Sequence, residues 1–231
     1  MKTKLLASGL LMASALIASG TAYALTIYPI YAGTLDNWGL VNTITDTDPD
    51  HDMTFTLNGF GGLNAAYVDV TIMEIQDAGA NDLYDIAYSF NTTNPLSPYS
   101  RSFGYIGSAG FIAYTMATTD NSHDLIDGVR LDSSSIGRGE LVTKDIFASK
   151  GGSLLATLTS ISGQPDPIYP LQLHYFHTPT NTVYVVDNLD SKSGIIHSVS
   201  SQFDPISVPE PMTLTLMGIG LAALGVRRRF A

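Results

Sequence analysis

The stretch AYVDVTIMEI, Ala66 to Ile75, decides the reading of the fold. Val68, Val70 and Ile72 fall on one side of an extended chain, and Asp69 and Thr71 on the other. A period of two with β-branched residues on the apolar side describes a strand with one buried face. The same alternation recurs in Met53–Gly59, Leu83–Phe90, Phe111–Thr119, Ser153–Ile161, Pro170–Phe176 and Thr182–Asn188. It is weaker in Thr26–Tyr31, Leu40–Thr45, Val129–Asp132, Glu140–Phe147 and Ile195–Val199. Turn dipeptides divide these runs: Asn58-Gly59, Asp127-Gly128, Gly151-Gly152, Ser162-Gly163 and Ser193-Gly194. Between the two ends of the chain no segment holds a 3.6 period for three turns. Single helical turns are expected at most at Asp124–Ile126 or Ser135–Gly137. About a dozen short strands predict an all-β, two-sheet sandwich, jelly-roll-like, with a closed barrel as the second choice. No repeat of fixed period points to a propeller or a β-helix.

The chain has 231 residues, 45 % of them hydrophobic, enough for one domain with a sizeable core. Only 14 % are charged, and there is no cysteine. Disulfides, thiolate metal sites, iron–sulfur clusters and cysteine nucleophiles are therefore excluded.

Both ends depart from globular composition. Lys2 and Lys4 precede an apolar run from Leu5, and Ala22-Tyr23-Ala24 has the small-x-small form that signal peptidase accepts. Residues 1–24 read as a signal peptide with cleavage between Ala24 and Leu25. At the other end, Met212 to Val226 is uncharged and rich in Gly, Leu and Ala, and Arg227, Arg228 and Arg229 follow it. The run is short for a membrane span but too apolar for an exposed surface. The arginines suit the cytoplasmic side. Pro209 and Pro211, with fixed φ and no N–H, keep the chain before the run stiff and extended, as a protease cleft requires.

Val208-Pro209-Glu210-Pro211, a short apolar helix and an arginine cluster, in that order, resemble the PEP-CTERM sorting signal. The resemblance covers about Ser207 to Ala231. It implies that exosortase, a membrane-embedded enzyme, recognises Pro209-Glu210-Pro211 and removes the tail after transient inner-membrane insertion through the C-terminal helix. It further implies a Gram-negative, exopolysaccharide-producing host, and a cell-surface or extracellular-matrix destination. The expected organisation is signal peptide 1–24, β-sandwich 25–203, linker 204–211, transmembrane helix 212–226 and basic tail 227–231.

Residues 25–211 keep 6 basic and 21 acidic side chains, a net charge of −15. Such a domain repels nucleic acid and attracts divalent cations and basic partners. The acidity also serves solubility in an exported protein.

Candidate chemistry is sparse. In Thr45-Asp46-Thr47-Asp48-Pro49-Asp50-His51-Asp52, four aspartates alternate. If extended they would share a face, and Ca²⁺ would relieve their repulsion, with Asp82 or Asp85 as further oxygen donors. The spacing fails the EF-hand pattern, since His51 stands where Gly is needed and Leu57 where Glu belongs. The favoured reading is a solvated acidic loop, with Asp46, Asp48, Asp50 and Asp52 as the alternative calcium site. His174 and His177 lie three apart in a strand, on opposite faces, which disfavours a shared metal. Glu74 shares the face of Val70 and Ile72. The favoured reading is the strand end leaving the core; the alternatives are a buried acid with a raised pKa or a partner such as Arg101 or Arg130, and an active-site acid.

No G-x-S-x-G occurs, Gly107-Ser108-Ala109-Gly110 being only a loop or bulge. Three glutamates, one of them in the sorting motif, give no assignable glycosidase pair. Trp38, Tyr99 and Tyr105, with Phe103 and Arg101 nearby, are the candidate sugar platform, and core packing is the preferred alternative for these rings. The expected function is that of a non-enzymatic surface or matrix protein associated with exopolysaccharide or biofilm. A carbohydrate-binding, lectin-like module, calcium-assisted, is the second reading, and a secreted hydrolase is the third.

Overall fold

The computed structural model describes residues 25–46, 53–77, 83–90, 109–119, 124–136, 139–161, 174–192 and 194–207. Twelve strands form among them: β1 Leu25–Thr34, β2 Thr43–Thr45, β3 Met53–Gly61, β4 Val68–Asp77, β5 Leu83–Phe90 and β6 Ala109–Thr118. They continue with β7 Asp124–Ile136, β8 Leu141–Phe147, β9 Leu154–Ile161, β10 His174–Thr180, β11 Thr182–Asp190 and β12 Ile195–Ser207. One α-helix, α1 Leu35–Val41, and a 3-10 turn, Ala65–Tyr67, complete the described elements.

The strands make two six-stranded antiparallel sheets. The first has the order β1-β4-β5-β12-β7-β10, and the second β2-β3-β6-β11-β8-β9. The alternation that marks each strand sets its inner face. Val68, Val70 and Ile72 of β4 point inward beside Tyr84, Ile86 and Tyr88 of β5. The second sheet answers with Phe55 and Leu57 of β3, Ile112 and Tyr114 of β6, and Val183 and Val185 of β11. Rings meet across the interface: Phe55 with Tyr84 at 5.8 Å, and Tyr114 with Tyr88 and Phe203 at 6.4 Å each. The two inner faces form a single hydrophobic core, which makes the domain an all-β sandwich.

From β5 onward the chain changes sheet at almost every connection. Beyond β5, only β8 and β9 follow each other within one sheet. β12 runs between β5 and β7 and pairs with both.

Three local expectations are corrected. Helix α1 is not foreseen by the periodicity, because seven residues are too few to display a period. It forms because Leu35 and Trp38, three apart, bury together. Asn42, at φ 63°, ends it in the left-handed region, and its N–H donates to the Trp38 carbonyl at 2.7 Å. The strand expected over Leu40–Thr45 is accordingly divided between this helix and β2.

The helical turns expected at Asp124–Ile126 and Ser135–Gly137 fall mostly within β7, whose partner β12 supplies hydrogen bonds along its length; Gly137 lies outside the described residues. Finally, Asp204–Ser207, read as linker, is the end of β12, with Pro205 paired to Ile126 and Ser207 to Asp124. The ladder accommodates Pro205 at a register shift, where the missing N–H is tolerated.

No described helix is long and apolar enough to cross a membrane. The signal peptide, the Pro-Glu-Pro segment and the apolar tail lie outside the described residues.

Candidate functional site

The least expected chemistry lies between the sheets. Leu141-Val142-Thr143-Lys144-Asp145-Ile146-Phe147 alternates strictly, so Lys144 shares the buried face of Val142 and Ile146. On β11, Asp187 continues the buried row of Val183 and Val185. Register places Lys144 and Asp187 directly opposite one another. Their side chains meet with Nζ 2.5 Å from Oδ1, both at 0 % exposure. The other carboxylate oxygen, Oδ2, has no hydrogen-bond partner among the described residues. Lys144 Nζ also donates to the Tyr114 hydroxyl at 3.3 Å. The Tyr114 and Phe203 ring centroids lie 5.5 and 6.0 Å from that nitrogen.

Burial works against the charge on both partners. It pulls the Lys144 ammonium below its ordinary range, opposed by the Asp187 carboxylate. It pushes the Asp187 carboxyl up, opposed by Lys144. Burial likewise drives the Tyr114 and Tyr88 hydroxyls well above the usual phenol range, so both stay protonated.

Other buried acids lie outside this contact, and Asp85 reaches Lys144 and Tyr114 only through its charge. Asp46, at the end of β2, is buried and accepts a hydrogen bond from the Tyr84 hydroxyl at 3.2 Å. Its backbone N–H donates to the Met53 carbonyl at 2.8 Å, closing the base of the β2–β3 connection. Asp85 neighbours Tyr84 on β5 and faces the opposite side of the sheet. It accepts from Ser200 Oγ at 2.6 Å, and burial raises its carboxyl above the usual range. The two acids therefore do not converge. Glu74 is fully buried and accepts from Gln76 Nε2 at 3.2 Å. It stays in the core at a point where the sequence suggested a strand leaving it.

Asp48, Asp50, Asp52 and Asp82 lie outside the described residues. So do Arg101, Phe103, Tyr99 and Tyr105 of the aromatic cluster, and the sorting residues Pro209, Glu210, Pro211, Arg227, Arg228 and Arg229. Ala22 and Ala24 also lie outside them, and β1 begins at Leu25.

Trp38 is described, and it is not an exposed platform. The indole is 0 % exposed and its ring lies 6.1 Å from that of Tyr114. His174 and His177 share β10, as expected of a strand pair. Among the described residues no three His, Asp or Glu side chains are placed to hold a metal ion.

Sequence reasoning missed Lys144 and Asp187. The signal was present: each interrupts a row of apolar residues on the inward side of its strand. Only the register between β8 and β11 shows that the two interruptions coincide.

Comparison with known proteins bears on the other end of the chain. No curated protein matches the sequence. Residues 207–229 match the family model described as the PEP-CTERM protein-sorting motif, beginning at the last residue of β12. The match agrees with the order of proline, apolar run and arginines in the tail, and the chain is one that carries a PEP-CTERM sorting motif.

Proposed function

We propose that this chain is an exported, non-enzymatic surface or matrix protein whose tail is removed by exosortase. The observation that carries the reading is the sorting motif over residues 207–229. The destination proposed is the cell surface or extracellular matrix of a Gram-negative bacterium, reached after signal peptidase acts at Leu25. There the acidic sandwich would associate with exopolysaccharide in a biofilm.

The fold supports a binding or scaffolding role. The alternation of β5 to β12 between the sheets, with β8–β9 the only pair joined within one, supports a jelly-roll reading of the sandwich. Function on such a scaffold depends on the surface presented rather than on the architecture. The lectin reading loses one of its three rings, since Trp38 is packed into the core.

The reading is tested on native envelope and matrix fractions by mass spectrometry. Mature chains should begin at Leu25 and lack Met212–Ala231. Full-length tails persisting in those fractions would sink the proposal. Titration with the host's exopolysaccharide, with and without Ca²⁺, then separates scaffolding from sugar recognition. Saturable, calcium-sensitive binding would favour the lectin-like module.

A further inference from the structure

We propose that Lys144 and Asp187 are joined by an intramolecular isopeptide bond that the folded domain forms on itself. The geometry points to it. The amine and the carboxyl are directly opposite on adjacent strands, in contact at 2.5 Å, and shut away from water. Proximity of this kind turns a sluggish bimolecular condensation into an intramolecular one.

A dry site also removes the obstacle to the chemistry. Amide formation needs a neutral amine and a neutral acid, whereas in water both groups are charged. Burial shifts both groups towards their neutral forms. One proton moved from Lys144 to Asp187 produces the reactive pair from the ion pair.

The step balances without an outside reagent. The Lys144 Nζ lone pair attacks Cγ of the protonated Asp187 carboxyl, forming a C–N bond and a tetrahedral centre. A C–O bond then breaks, and that oxygen leaves as water with the carboxyl proton and one proton from nitrogen. The Tyr114 hydroxyl, 3.3 Å from Nζ, is placed to pass that proton. Nothing is oxidised or reduced. Asp187 Oδ1, which takes the Lys144 proton across the contact, is the oxygen that leaves, and Oδ2, with no partner among the described residues, stays as the amide carbonyl.

The product would be a covalent rung between β8 and β11, in a chain whose lack of cysteine denies it disulfides. The surrounding core is a wall of rings and aliphatic side chains, so water has little access to reverse the reaction.

The test is a tryptic digest of the purified, folded full chain, denatured and read by mass spectrometry. Cleavage sites follow Arg138, Lys144, Lys150 and Lys192. With the bond in place, Lys144 is no longer a cleavage site. Peptide 139–150 should then appear joined to peptide 151–192, lighter than their sum by one water. Free peptides 139–144 and 145–150 from the wild-type chain would overturn the proposal.

Asp187→Ala should return those free peptides, and a linked species persisting there would also overturn it, because the acceptor would be another residue. Asp187→Asn should restore a linked species of the wild-type mass, since ammonia then leaves in place of water. The wild-type digest decides even if a variant fails to fold.

Discussion

Lys144 is held in the core by one carboxylate and a ring of aromatic side chains, so its partner cannot be removed cheaply. Asp187→Ala strands an ammonium in an apolar interior and should cost about 3–5 kcal/mol of stability, measured by urea unfolding. Asp187→Asn keeps the shape and the acyl carbon and should stay within about 1 kcal/mol of wild type. Tyr114→Phe removes the hydroxyl nearest the nitrogen while keeping the ring. It should slow the appearance of the linked peptide by about 10²-fold in a time course that starts from unfolded, not yet linked chain, leaving the end point unchanged.

Asp85 gives a pH signature that also originates in burial. Its carboxyl is raised by burial, so its folded-state pKa lies above the unfolded value. Stability from this group is therefore complete below the ordinary carboxyl range, near 3.8, and declines as pH rises through the higher folded value. Asp85→Asn keeps an acceptor for Ser200 and should stabilise the domain at neutral pH by on the order of 1 kcal/mol. The variant should also flatten this site's share of the stability–pH curve, which thermal melts at a series of pH values would record.

At the scale of elements, helix α1 behaves as a plug whose indole packs against Tyr114 at the middle of the sandwich. Trp38→Ala should cost about 3–5 kcal/mol by leaving a cavity there. The loss would be seen in the thermal midpoint rather than in any affinity for sugar. Gly62 follows β3 at φ 73°, and a Cβ there would stand 2.1 Å from the Ala109 carbonyl oxygen. Gly62→Ala thus meets both an unfavourable dihedral and immovable backbone, and should destabilise by more than about 1 kcal/mol in the same melts.

Strands such as Leu83–Phe90 were legible to the residue, because one buried face writes a period of two into the sequence. Helix α1 was not, because a single buried i, i+3 pair is indistinguishable from a loop with two apolar residues. The end of β12 was hidden by Pro205, which argues against a strand locally and is tolerated only because the pairing slips there. The Lys144–Asp187 pair was half legible. Each charge stood out on an apolar face, yet 43 residues separate them, and no local pattern reports a register of that range.

At the scale of the whole molecule, the last strand of the sandwich ends where the match to the sorting motif begins, at Ser207. β12 holds its last pairs, Ile206 with Leu125 and Ser207 with Asp124, and Val208 alone precedes Pro209. One extended residue offers about 3.5 Å of reach. An enzyme that grips Pro209-Glu210-Pro211 must therefore work flush against the folded domain or catch the chain before β12 has zipped onto β7. On the proposed processing, folding and trimming would then be rivals in time. If the tail is removed as proposed, the closing of the final rungs would act as a clock on that processing. Ile206→Gly, which loosens those rungs, should quicken tail loss several-fold in a pulse–chase experiment. A flexible insert after Ser207 should do the same without touching the core. The last strand of the sandwich would in that way decide when the protein is released, as well as how it is built.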